Sequence, residues 1–230
     1  MELDLSKYVD DWYKEDPSRN IYPGPVVTIS REVGCPAKKI AASLTEHLNK
    51  LKREKTKNHP WQWISKEIMM ESARELHVNS SQIQHVFDYK SRGVLEDLLL
   101  AQSKGYYKSD LKIRTTIAKV IRKFANDGNV VIVGRGGVAI TRDIPKSLHI
   151  FFEAPLEWRA LRVAEKNDIS IDQARSYARS IDKKRSNFRD IFLGKGNDYT
   201  RFDIKLNCMT LEIDVMIDII IGALKSRGMI

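Results

Sequence analysis

Two groups of cationic side chains in this sequence have the types and spacing to hold an anion. The first is Gly134-Arg135-Gly136-Gly137, which follows directly on the apolar run Val130–Val133. Glycines let a backbone come close to a ligand, and the arginine among them offers a planar fork of donors that matches phosphate. The second is the pair Arg185 and Arg189, four apart and therefore on one face of a helix. Arg175, Arg179 and Asp182 lie near the same stripe. A row of arginines repels itself unless it meets solvent, carboxylates or a polyphosphate. A solvated face with Asp182 pairing locally and a phosphate-binding face both satisfy that condition. Phosphoryl transfer uses such cations, because its catalysis is mostly positioning and neutralisation of charge on the migrating group. Arg162 is open to the same two readings, a phosphate ligand or a structural ion-pair partner. His47, His59, His77, His85 and His149 share no spacing, so no metal-binding set is expected.

These residues need a scaffold, and the hydrophobic pattern supplies one. Val26–Ile29, Trp61–Ile64, Val130–Val133, Leu148–Phe152 and Phe202–Leu206 read as strands, with a loop from Ser30 to Pro36 after the first. Helices are expected over Ala37–Leu51, from Ser65, over Asp110–Phe124, over Leu156–Asn167, from an N-cap at Ser170 to about Phe192, and from a cap at Thr210. Strands alternate with helices, and Val130–Val133 is wholly apolar, as in a strand buried on both faces. The pattern is that of a three-layer α/β fold with a mainly parallel sheet. Open sheets of this kind bind ligands at the carboxyl ends of their strands, which is where Gly134–Gly137 falls. Residues 1–24 form a polar N-terminal arm, and residues 25–230 one domain.

Bulk properties narrow the partners. The chain has 230 residues and a formal charge of +9, which suits polyphosphate ligands, nucleic acids or anionic surfaces. Much of the excess lies in Lys50–Lys57, read as a solvated helix end, and between Arg175 and Arg189. Lys50–Lys57 carries no aromatic and Arg175–Arg189 only Tyr177 and Phe188, which ranks a nucleic-acid binder last. The longest apolar run, Val215–Ile221, is interrupted by Asp218, so no membrane span is expected. The acidic start Met1–Leu5 is no signal peptide, and a cytoplasmic protein is expected. Cys35 and Cys208 are read as buried or half-buried thiols, not as a disulfide.

No GxxxxGK[ST] phosphate loop occurs in the chain. Ile29-Ser30-Arg31-Glu32 with Gly34 is, alone, an ordinary strand–turn–helix. Set in order with Gly134-Arg135-Gly136-Gly137, Ala154-Pro155-Leu156-Glu157 and Asp182 with Arg185, it resembles the cytidylate kinase-like family, a branch of the P-loop nucleoside monophosphate kinases. The resemblance spans roughly residues 26 to 225. It implies a five-stranded parallel sheet, a helical acceptor-binding insertion at about 65–105 and an arginine-bearing lid at about 175–198. It implies transfer of the γ-phosphate of ATP, with magnesium, to CMP or dCMP. On it, Gly34, Cys35, Lys38 and Lys39 receive the ATP phosphates. Gly134, Arg135, Gly136 and Ser65 hold the acceptor, and Arg185, Arg189 and Lys38 act in catalysis.

Departures from the family pattern fall on the chemistry. Cys35, Pro36 and Ala37 follow Gly34, and Pro36 brings no N–H to the cradle. No Ser or Thr follows to hold magnesium. Ser65 stands where an aspartate is expected after the second strand, and Gly136 where an aspartate helps to read cytosine. The alternative reading is a weak or inactive nucleotide-binding or regulatory protein on the same fold.

Overall fold

The computed structural model describes residues 24–52, 60–87, 110–193 and 202–230. Within them, five strands form one sheet: β1 (Val26–Arg31), β2 (Gln62–Ile64), β3 (Val130–Val133), β4 (Ser147–Glu153) and β5 (Ile204–Asn207). The order is β2-β3-β1-β4-β5, and every pairing is parallel. Eight helices accompany them: α1 (Ala37–Lys52), α2 (Lys66–Glu75), α3 (Ser80–Phe87), α4 (Asp110–Asp127), α5 (Gly137–Ile140), α6 (Leu156–Asn167), α7 (Ile171–Leu193) and α8 (Ile213–Ser226). The expected N-terminal arm, the insertion beyond residue 87, the lid beyond residue 193 and most of the Lys50–Lys57 run lie outside the described residues.

Alternation along the central strands divides the core into two layers. Val26, Val130 and Ile132 pack with Ile117, Ile121 and Phe188 on one face. Val27, Ile29, Val131 and Val133 pack with Ile40, Leu44, Met216 and Ile220 on the other. Each such side chain contributes about 2 kcal/mol when fully buried, which is why a wholly apolar β3 is stable only inside three layers. A smaller cluster of Val33, Ala160, Val163, Ala174 and Ala178 binds α6 to α7 beneath the loop after β1.

The pattern placed the elements well and misjudged some ends. Ser30 and Arg31 belong to β1 and not to the loop, because β4 is long enough to pair with them at Phe151 and Phe152. Phe202 and Asp203 precede β5, the Asp203 N–H donating to His149 O at 2.8 Å. The Phe202 ring packs on Phe151 at 4.7 Å. Thr210 does not cap the last helix. Asn207 Oδ1 accepts the Met209 N–H at 2.9 Å in a tight turn, and Glu212 is the cap residue. Ser170 does cap α7, its Oγ accepting the Gln173 N–H while Gln173 Oε1 accepts the Ser170 N–H, a reciprocal box.

The topology fixes the site. β1 lies between β3 and β4, so the chain turns to opposite sides of it, and a crevice opens at its carboxyl end. Register sets Val133 level with Ile29, so β1 runs two residues past the end of β3. Arg31 therefore stands beside the glycine turn that follows β3.

Candidate functional site

On one side of Arg31 is the cradle formed by residues 32–36 and the start of α1. The Glu32 N–H continues the β4 ladder to Phe152 O at 3.0 Å, and the Val33 N–H donates to Asp182 Oδ1 at 2.8 Å. Gly34 has φ +95°, and a Cβ there would lie 2.9 Å from Arg159 Cβ. Packing on α6 therefore dictates this glycine. The Cys35 and Ala37 N–H groups turn back to Glu32 O at 3.4 Å and Cys35 O at 2.9 Å, and Pro36 has none to give. The amides left to face a ligand are that of Gly34 and those of the first turn of α1, at Lys38 and Lys39. They border a cavity of about 750 Å³ lined also by Arg31, Arg162 and Arg185, with Glu32 and Glu165. The Arg162 Nε donates to Gly34 O at 3.3 Å, and its guanidinium lies 4.5 Å over the Trp158 ring.

On the other side is a smaller niche. Gly134, Arg135 and Gly136 all have positive φ, at +76°, +58° and +75°. The turn closes with the Gly137 N–H on Gly134 O at 3.0 Å and is tied to β1 by the Gly134 N–H on Ile29 O at 2.9 Å. A Cβ at Gly134 would fall 2.1 Å from Arg31 Nη1, so the missing side chain is the space the guanidinium occupies. A Cβ at Gly136 would meet Phe192 Cδ2 at 2.9 Å. Ser30, Arg31, Arg135, Arg185, Phe188 and Arg189 line this niche of about 20 Å³. The Arg185 Nη1 donates to Arg31 O at 3.2 Å. The Arg189 guanidinium lies 5.9 Å from the Phe151 ring and 5.8 Å from that of Phe202. Arg31 and Arg185 thus line both cavities.

A family model described as the cytidylate kinase-like family matches residues 26–210, which include both cavities. The chain belongs to that family. Among curated proteins, none matches it. Among solved structures, it is similar to an uncharacterized protein from Eubacterium ventriosum at 24% identity and TM-score 0.59, covering 88% of this chain and 98% of that one. It is also similar to a shikimate kinase from Bacteroides thetaiotaomicron at 11% identity and TM-score 0.49, covering 87% and 98%. The first likeness bears on the fold alone, a five-stranded parallel sheet with helices around it.

In this cytidylate kinase-like chain the cradle rests on a buried arginine that the sequence reading missed. Arg159 lies on the inward stripe of α6 with Leu156, Ala160 and Val163, and that stripe was the available signal. Its Nη1 meets Asp182 Oδ2 at 2.8 Å and Val33 O at 3.2 Å, and its Nε meets Ala154 O at 2.8 Å. Glu32 Oε2 lies 3.1 Å from the same Nε and accepts the Ala154 N–H at 3.0 Å. Loop, α6 and α7 are thereby locked together. Asp182 does pair, though chiefly across to Arg159 and only at 3.9 Å with its neighbour Arg185.

Of the expected site residues, Gly34, Cys35, Lys38 and Lys39 border the large cavity, and Gly134, Arg135, Gly136 and Arg189 the niche. Arg185 borders both. Ser65 lines neither. It follows β2 at the start of α2 as a buried residue whose N–H donates to Glu67 Oε2 at 2.8 Å. Arg175 is bound to Glu157 at 2.6 Å and Asp172 at 2.5 Å on the surface, and Arg179 is exposed. The Arg175 bond holds the Glu157 carboxyl below its usual range. The arginine stripe is therefore split, with its first half serving the α6–α7 surface. Among the described residues, no group of three or more His, Cys, Asp or Glu is placed to hold a metal ion. No described helix is long and apolar enough to cross a membrane.

Proposed function

We propose that the protein transfers the γ-phosphoryl group of ATP to a nucleoside monophosphate, with CMP or dCMP as the acceptor. The observation that carries this reading is that Arg31 and Arg185 line both the large cavity and the niche. A phosphoryl group passing between donor and acceptor develops its charge at such a boundary, and fixed cations there stabilise the transition state. Lys38, Lys39, Gly34 and Cys35, with the first amides of α1, receive the donor phosphates. Arg135 holds the acceptor phosphate between Gly134 and Gly136, and Arg189 closes that niche from α7. An acceptor phosphate oxygen forms a bond to the γ-phosphorus as the bond to the β-bridging oxygen breaks, and ADP leaves. The niche has to widen to admit a phosphate, because about 20 Å³ holds little more than a water.

The cradle does not fit a magnesium site of its own. Lys39 follows where a hydroxyl would be needed, and Glu32 and Asp182 are committed to Arg159. Any magnesium comes as part of the nucleotide substrate, held by its phosphates. A second reading is favoured by the turned-back Cys35 and Ala37 amides, namely nucleotide binding without transfer.

The test is a coupled ADP-release assay with CMP, dCMP and UMP in turn. Turnover with an acceptor is expected, and Arg185→Ala should lower it by about 100-fold or more with a stability change within about 1 kcal/mol. Undiminished turnover in that variant overturns the assignment. ATP binding with no ADP release on any acceptor selects the second reading.

A further inference from the structure

Cys35 and Cys208 are the only cysteines of the chain and lie 173 positions apart (208 − 35). The fold brings them together. Cys208 directly follows β5, where its N–H donates to Glu153 O at 2.8 Å. It is buried in the apolar cluster that also receives Cys35 at its edge. The Glu32 N–H bonds Phe152 O and the Cys208 N–H bonds Glu153 O, so the two cysteines leave β1 and β5 on either side of the end of β4, in one apolar cluster. Both are free thiols that act on each other's ionisation. Cys35 is half-buried and lines the phosphate cradle between Gly34 and Pro36.

The electrostatics make the two thiols unequal. Cys35 and the nearby Arg162 charge hold Cys208 below its usual value, against burial and Glu32. Cys35, beside Cys208 and half-buried, is pushed well above its own. A thiolate thus forms preferentially at Cys208, with the second thiol packed against the same cluster.

We propose that Cys35 and Cys208 are a redox site in which a peroxide forms a reversible intramolecular disulfide that alters the cradle. The Cys208 thiolate attacks one oxygen of hydrogen peroxide, the O–O bond breaks, and a sulfenic acid and hydroxide result. Cys35 loses its proton and attacks that sulfur, and the S–O bond breaks with release of a second hydroxide. The two thiol protons convert both hydroxides to water, so two thiols and one peroxide give one disulfide and two waters. A disulfide holds its sulfurs at about 2.0 Å, closer than any unbonded pair, so the side chains and the loop have to shift. Val33 is held by Asp182 and Glu32 by Arg159, so the movement falls on Cys35–Ala37 and on the first turn of α1. That turn carries Lys38 and Lys39. Disulfides between protein thiols in reducing compartments are mostly transient or sensing, which fits a pair with one member, Cys35, in a binding loop.

The test needs no nucleotide and stands apart from the proposed transferase activity. Reduced protein is treated with hydrogen peroxide, and its intact mass and free thiols are measured before and after dithiothreitol. The expected result is loss of two hydrogens and of both thiols, reversed by the reductant and absent in Cys35→Ser and in Cys208→Ser. Tripolyphosphate should bind the oxidised form at least about 5-fold more weakly than the reduced form, well under the tenfold per 1.4 kcal/mol scale. A gain of oxygen, a disulfide-linked dimer or an unchanged mass overturns the pairing. A disulfide that leaves tripolyphosphate affinity unchanged overturns its link to the cradle.

Discussion

At the scale of single residues, Arg135 sets the tightest constraint. A side chain other than glycine in the left-handed region costs about 1–2 kcal/mol, and Arg135 sits there at φ +58° between two glycines that share the conformation. Ordinary turn chemistry would place a glycine here too. Strain of this kind is kept where surrounding structure and function demand the side chain. Arg135→Gly removes the strain and adds about 0.5–1 kcal/mol of backbone entropy cost, so the two nearly cancel. The expected result is a thermal midpoint close to that of the parent protein and an acceptor KM raised about 10–100-fold, the equivalent of lost charge-assisted bonds. The ATP KM should stay where it is. An unchanged acceptor KM removes Arg135 from the acceptor site, whatever becomes of stability.

At the scale of elements, the cradle depends on α6 and α7 as much as on its own loop. Arg159 is buried against Glu32 and Asp182, and removing one member of a buried ionic cluster costs about 3–5 kcal/mol because the remaining charges are stranded. Arg159→Met, which keeps the volume, is therefore expected to lower the unfolding free energy by about 3 kcal/mol in a urea titration. A loss below about 1 kcal/mol shows that solvent already supports those carboxylates. The same cluster explains what the sequence made legible and what it did not. Strand and helix placement followed from apolar periodicity, and Gly134–Gly137 from its position after a buried strand. Arg159 stayed hidden because an arginine in Leu156–Asn167, like Arg162 one turn on, looks like a surface residue until the stripe is drawn through it. Ser65 and Arg175 line neither cavity, for a local reason. Their types suited a site, but local partners, Glu67 for one and Glu157 with Asp172 for the other, settle where they lie. The glycines of the cradle and niche were legible as necessary, though for a different cause. Gly34 and Gly136 clear protein atoms, and Gly134 clears the Arg31 guanidinium.

For the whole molecule, the sheet is held at its centre by a polar group as well as by apolar burial. His149 on β4 meets Thr28 Oγ1 of β1 at 2.7 Å through Nδ1 and Ser147 Oγ at 3.1 Å through Nε2. Burial lowers its pKa below 6.5, with Arg227 acting in the same direction against Asp203 and Asp143. The unfolded chain binds a proton at His149 as pH falls through about 6.5, and the folded chain resists doing so. Stability is therefore complete above that pH and declines below it, until the lowered folded value is passed. The slope reaches at most about 1.4 kcal/mol per pH unit for one proton. Glu46, Glu67 and Glu157 have lowered values and release their contributions only below 4.5, so the two windows are distinct. Unfolding free energies measured from pH 7.5 to 5, a range of test conditions on either side of the unperturbed histidine value of about 6.5, should be flat and then fall. His149→Gln should be flat throughout, even if it starts lower. An equal decline in that variant assigns the acid sensitivity to other groups and leaves the β1–β4 bond without a role in it.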